Sequence, residues 1–329
     1  MRRILNWAAL ALPIALAAGI ARAEPTAYVP LGSANRVVGI DVATGRITQT
    51  FTGVVNPHGL VATPDGEYLI AGSLSESPLP QRAPLETPNS KLYQIHPLHG
   101  HVVTEIPVPG WTHHQAITPD GRHVLSTHPT RGWVTLVDLQ QGKVVHTIRT
   151  GKAPNYALVS RDGRRAYVSN TADGSISELD LASATVVRKL EGGSTPEHLV
   201  SSPDGSYLFA ANAGSGRVSK VSVATGKVER DYVVGRQVHG LDISDDGKTL
   251  FASSRADGRL AAIDVATGSQ KSLSLSPDPY HLNTIPGTGK VYVSSATSPV
   301  IWVVEQATLT VSRVIDLPAG EGHQIAVVR

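Results

Sequence analysis

A unit of about 42 residues recurs along this chain, and that period constrains the fold more than any other feature. Asp-Gly turns fall at Asp65, Asp120, Asp162, Asp204 and Asp246, and Pro286-Gly287-Thr288-Gly289 stands where a sixth is due. A second turn recurs as Ala43-Thr44-Gly45, Gln141-Gly142, Ala224-Thr225-Gly226 and Ala266-Thr267-Gly268. Asp-Gly between alternating apolar residues signals a hairpin, because glycine accepts the positive φ that a tight turn requires. Four short strands in roughly 40 to 45 residues is the period of a propeller blade, a unit that buries its faces only by stacking on its neighbours.

First strands begin near residues 58, 113, 155, 197, 239, 281 and 323, which makes seven. The last, His323 to Val328, has no partners after it, whereas Tyr28 to Phe51 supplies three strands with no first strand before them. The expected fold is therefore an all-β, seven-bladed β-propeller with four-stranded antiparallel blades, the last closed by N- and C-terminal strands. Closure removes the free sheet edges of an open array. One step is 55 residues long, and its excess lies in the Pro- and Ser-rich stretch 73–90, expected between the second and third strands of its blade.

The run Arg165-Ala166-Tyr167-Val168-Ser169-Asn170 resembles the signature of YVTN-repeat propellers, as do Tyr28-Val29-Pro30, Leu208-Phe209-Ala210-Ala211-Asn212 and Val291-Tyr292-Val293-Ser294-Ser295. The resemblance spans essentially the whole chain after its first residues and implies a fold, not a chemistry.

Arg2 and Arg3, an apolar stretch from Ile4 to Ile20 and the small-residue site Ala21-Arg22-Ala23 read as a cleavable signal over residues 1–23. A single propeller domain is then expected over 24–329, exported through the Sec route to a periplasm. No later segment approaches the roughly 18 continuous apolar residues of a membrane span. Cysteine is absent, which excludes disulfides, thiolate ligands, iron–sulfur clusters and covalent c-type haem. A net charge of +2 with interspersed signs supplies no basic face for nucleic acid and no polybasic patch for lipid. Neither nucleic acid nor membrane insertion is expected, and the chain is expected to be a monomer.

The candidate site lies where the innermost strands begin. One column reads His58, His113, Asn155, Glu197, His239, Tyr280 and Gly322; the next reads Gly59, His114, Tyr156, His198, Gly240, His281 and His323. With 13 histidines in 329 residues, about 0.6 would fall in these 14 positions at random, and seven do. A capping histidine copied with the repeat would also fill a column. It does not explain why one column tends to gain histidine where the other loses it, at His198, His281 and His323.

Neutral imidazole is the commonest nitrogen ligand for zinc and copper, so the ring predicts a site for either ion without thiolate. The expected ligands are His58, His113, His114, His198, His239, His281 and His323, with Glu197 as an additional oxygen ligand or a base. Adjacent strand residues point to opposite faces, so His113 and His114 both reach the axis only if the backbone there is still irregular. Proton competition places the expected weakening of metal binding near pH 6.5. Stretch 73–90 is expected on the same face, a lid or a surface insertion, with His128, Arg131 and Arg255 in neighbouring loops and read as solvated. His96, His99 and His101 are expected at a turn on the far face, and His123 and His146 within strands.

A ring of seven propeller histidines with a His-His pair resembles the copper-cluster domain of nitrous oxide reductases, although this chain lacks the cysteine-containing second domain of that family. Propellers that carry d1-type haem, where a ring histidine would be an axial ligand, and periplasmic zinc-chaperone propellers are also similar. These resemblances imply metal handling, with a periplasmic metalloprotein or metal transporter as partner. Two other classes stay open: a lactonase-type propeller hydrolase using Glu197, His239 and Arg255, and a metal-free interaction scaffold.

Overall fold

The computed structural model describes residues 25–329; the signal read over 1–23 lies outside them. Among the described residues every regular element is a strand, and 28 strands form seven four-stranded antiparallel sheets. The blades open with Pro57–Ala62, Gln115–Ile117, Pro154–Val159, Pro196–Ser201, Val238–Ile243, Pro279–Ile285 and Ala326–Val328, numbered here blades 1 to 7. Blade 7 is completed from the other end of the chain, with Ala326–Val328 antiparallel to Thr26–Leu31 through Tyr28 opposite Ala326 and Thr26 opposite Val328. The fold is thus a seven-bladed all-β propeller with the closure that the repeat count predicts.

Blade alternation explains the core. Inward and outward positions along each strand face the two neighbouring sheets, so apolar clusters form between blades. Ala27, Val29, Val38 and Ile40 of blade 7 pack with Ile285, Tyr292 and Ile301 of blade 6. On its other side, Tyr28, Val37 and Phe51 of the same blade meet Leu60, Leu69 and Tyr93 of blade 1. The terminal strands are therefore held on both faces as well as by the sheet.

Glycines of the Asp-Gly turns sit in the left-handed region, for example Gly66 at φ 73° and Gly163 at φ 70°. Strain without glycine appears just before five innermost strands, at Asn56, Ala153, Thr195, Gln237 and Asp278, with φ between 43° and 57°. These residues turn the chain onto the axis at the level of the histidines. Stretch 73–90 joins the second strand of blade 1, Leu69–Ser73, to the third, Ser90–His96.

Candidate functional site

Both histidine columns reach the axis because the innermost strands are bulged. In blade 1 the register steps from Pro57 opposite Ser73 to Leu60 opposite Ala71, three residues against two. The same step recurs at Pro154/Ala157, Pro196/Leu199, Val238/Leu241 and Pro279/Leu282. An extra residue suspends strand alternation, so two successive side chains no longer point to opposite faces. In blade 2 the regular strand starts only at Gln115, and His113 and His114 precede it, tied to Thr127 through its backbone N–H and C=O. Both rings therefore turn inward, with centroids 4.3 Å apart.

A second device ties neighbouring blades at this level. The hydroxyl of Thr127 accepts from the N–H of His114 at 3.0 Å and donates to the carbonyl of Asn155 in the next blade at 2.8 Å. Ser169 does the same between Tyr156 and Glu197, and Ser253 between Gly240 and Tyr280. Ser253→Ala removes both of its bonds from a buried position and is expected to cost about 1–3 kcal/mol, read as a lower melting temperature.

The seven rings form one contiguous cluster. His281 lies at the middle, with centroids 4.8 to 5.5 Å from those of His58, His114, His198, His239 and His323. His58 stacks on His113 at 4.3 Å and lies 4.1 Å from His323. Three trios bring one ligand nitrogen each to within 4.8 Å of one another: His58, His113 and His114; His58, His281 and His323; His114, His198 and His281. They share His58, His114 and His281 pairwise, which makes a triangle of three-nitrogen sites. Nitrogens around a tetrahedral ion bonded at 2.0–2.1 Å lie about 3.4 Å apart, so modest side-chain movement closes each trio.

Six of the seven are buried, at 0 to 7% exposure, and His113 is intermediate. Eight imidazole nitrogens are buried without a hydrogen-bond partner: both of His58, both of His281, Nε2 of His114, His198 and His239, and Nδ1 of His323. An unpaired buried polar atom is costly, and eight within one cluster of rings are not explained by packing. Other nitrogens of the ring do have partners. The carbonyl of Asn155 lies 3.1 Å from Nδ1 of His114 and 3.4 Å from Nδ1 of His113. A carbonyl only accepts, so it holds the proton on Nδ1 and leaves Nε2 as the lone pair. In His323 the roles reverse: Glu321 lies 3.2 Å from Nε2 and leaves Nδ1 for the cluster. The bonds from His323 and Ser33 keep the Glu321 carboxyl at about 2.

Burial, reinforced by neighbouring imidazoles, pushes His58, His114, His198, His239 and His281 well below their ordinary range. Burial also lowers His113, to about 4. These six rings are accordingly neutral near pH 7, the state in which imidazole binds metal. Glu197 stands at the rim, accepting from Asn155 Nδ2 at 3.0 Å and lying 3.8 Å from Nδ1 of His239, its carboxyl raised by burial. Tyr280 stacks on His239 at 4.3 Å, and Tyr156 covers His198 at 4.6 Å.

The three loop residues read as solvated are partnered instead. His128 is fully buried and bridges the carbonyl of Gly110 and the hydroxyl of Thr135. Arg131 pairs with Glu76 of stretch 73–90. Arg255 makes two bonds to Asp278, at 2.8 and 3.0 Å, and covers the Tyr280 ring. His96, His99 and His101 flank the turn between the third and fourth strands of blade 1, and His123 and His146 lie in strands of blade 2. The repeat reading passed over Trp111, Gln115, Glu321, Gln324 and the hydroxyl bridges. The bridges had a signal: Thr127, Ser169 and Ser253 occupy the same position of the second strands of blades 2, 3 and 5.

Fold and site together define a seven-bladed β-propeller carrying a buried polyhistidine cluster at the axis. The family described as "Lactonase, 7-bladed beta-propeller" matches residues 129–242, about a third of the chain. Hydrazine synthase of Kuenenia stuttgartiensis is similar in structure, with a TM-score of 0.75 and 18% identity, covering 87% of this chain and 93% of that one. A proposed 6-phosphogluconolactonase from Bacteroides uniformis gives a TM-score of 0.76 at 18% identity, covering 93% of this chain and 100% of that one. Another, from Bacteroides fragilis, gives 0.76 at 16% identity, covering 94% and 99%. At these identities the likeness is one of fold. No curated protein matches the sequence.

Proposed function

We propose that this chain is a metal-binding propeller that takes copper or zinc into its histidine cluster, more than one ion per chain, and that its work is metal handling in a periplasm. The observation that carries the reading is the set of eight unpartnered, buried imidazole nitrogens in one cluster, on six histidines of which five belong to overlapping trios. An all-nitrogen donor set suits both ions, and copper binds the more tightly of the two at a given site. The rings lie 4.1 to 5.5 Å apart around His58 and His281, which leaves no flat space between them for a tetrapyrrole and favours bare ions over d1-type haem. The trios also suit the resemblance to copper-cluster propellers and to zinc chaperones. A metalloprotein or metal transporter is the partner such a role requires.

A second reading has a specific observation in its favour. The lactonase family match covers the segment that holds Glu197, His198 and His239, and two of the similar folds are proposed 6-phosphogluconolactonases. The comparisons weigh toward this reading and do not speak to metal. A rim carboxylate 3.8 Å from an imidazole is a plausible acid–base pair for opening a lactone. Its anion-binding arginine, Arg255, is however already bound by Asp278.

Elemental analysis of untagged protein, followed by titration with copper and zinc, separates the two. At least two equivalents of either ion per chain are expected. Protein that refuses both ions yet hydrolyses a lactone, with that activity lost in Glu197→Gln, would establish the second reading in place of the first.

A further inference from the structure

We infer that ions enter and leave the cluster past His113, and that stretch 73–90 sets the rate by holding Trp111 beside it; this rests on the metal reading above. His113 is the one ring histidine that is not fully buried. Trp111, two residues before it, meets its ring edge-on at 5.8 Å.

Trp111 is held from outside the repeat. Its backbone N–H donates to the Glu76 carboxylate at 3.1 Å, and the Arg131 guanidinium reaches the same carboxylate at 3.3 Å. The N–H of Gly110 donates to the side chain of Asn89 at 2.7 Å. Arg131 lies against Gly110 so closely that a Cβ there, at φ 82°, would come within 2.9 Å of its Nε. Glu76 and Asn89 belong to the one long insertion in the repeat, and that insertion lies in the blade before His113. Its anchors converge on the two residues that flank the exposed edge of the cluster.

The opposite approach is filled. Beneath the rings the amide of Gln324 accepts from the N–H of Leu60 at 3.3 Å and of Gln115 at 3.4 Å, and donates to the carbonyl of Gln115 at 3.2 Å. The Gln115 side chain lies so close to blade 1 that a Cβ on Gly59 or Gly72 would come within 2.0 and 2.1 Å of it. A side chain from blade 7 thus bonds to blades 1 and 2 below the site, whereas His113 stands on the less buried side of the cluster.

The test is the rate at which copper- or zinc-loaded protein gives up its ion to an excess of water-soluble chelator at pH 7. Glu76→Gln is expected to release about tenfold faster, the effect of removing the charge from the bonds that hold the closed form, and Trp111→Ala, which keeps its backbone bond to Glu76 but removes the ring beside His113, is expected to release faster as well, with equilibrium stoichiometry unchanged in both. Glu76→Gln keeps the side-chain shape and guards against a folding defect in the larger truncation. Release at the wild-type rate in both variants overturns the inference and leaves the metal reading standing. Wild-type protein that binds no ion at equilibrium overturns both.

Discussion

Leucine at His58 and His281 is expected to move stability in opposite directions with and without metal. In the metal-free chain both nitrogens of each ring are buried without a partner. Leaving such a group unsatisfied costs about 1–3 kcal/mol, so an apolar side chain of similar size should raise the stability of the metal-free protein by that order at each position. His58 and His281 also belong to two trios each, so the double replacement leaves no trio intact. Copper or zinc affinity should then fall by more than about 100-fold, beyond the effect of losing an outer partner of a ligand. Metal that binds only the folded chain stabilises it by about 2.7 kcal/mol at a hundredfold excess over the dissociation constant, and the double variant forfeits that gain. Thermal melts with chelator and with metal therefore cross: the variant melts higher without metal and lower with it. A structural ring predicts lower melting in both, and that result would sink the metal reading.

How much of this was legible beforehand varies with the physics involved. The blade count came from turn chemistry that repeats because each blade needs the same left-handed glycine, and the closure of blade 7 followed from counting strands. The histidine columns were legible because the bulge recurs at one place in five of the seven repeats, so aligned residues share one surrounding. What alternation alone forbids, His113 beside His114 on one axis, the lead-in before Gln115 allows. The supports were harder to see. Gln324 reaches Leu60 and Gln115 across more than 200 residues of sequence, and only closure of the ring brings them together. His128 and Arg131 read as solvated because their loops are polar; their partners, Gly110 and Glu76, lie in segments whose position depends on an insertion with no counterpart in the other blades.

Burial also alters the expected response to acid, and the metal-free protein is expected to lose stability steeply between pH 6.5 and about 4. An unfolded chain titrates its histidines near pH 6.5. In the folded chain six of the ring histidines titrate lower, His113 at about 4 and the other five well below the ordinary value, first because burial disfavours the charge and then because neighbouring imidazoles repel it. Between the two values the unfolded state holds more protons, so stability rises with pH across this window and is lost as pH falls through it. His113 alone, shifted from 6.5 to about 4, accounts for at most about 3 kcal/mol. Five more groups move in the same direction, so the stability lost on acidification exceeds that of His113 alone. Chelator-treated protein should therefore unfold in mild acid, below about pH 6.5, with a cooperative uptake of several protons. Metal moves that midpoint further down, because bound imidazoles are closed to protons. The same shifts move the onset of proton competition for metal below 6.5, since burial lowers six of the folded rings. An acid midpoint unmoved by replacing His58 and His281 with leucine would mean that the cluster does not govern it.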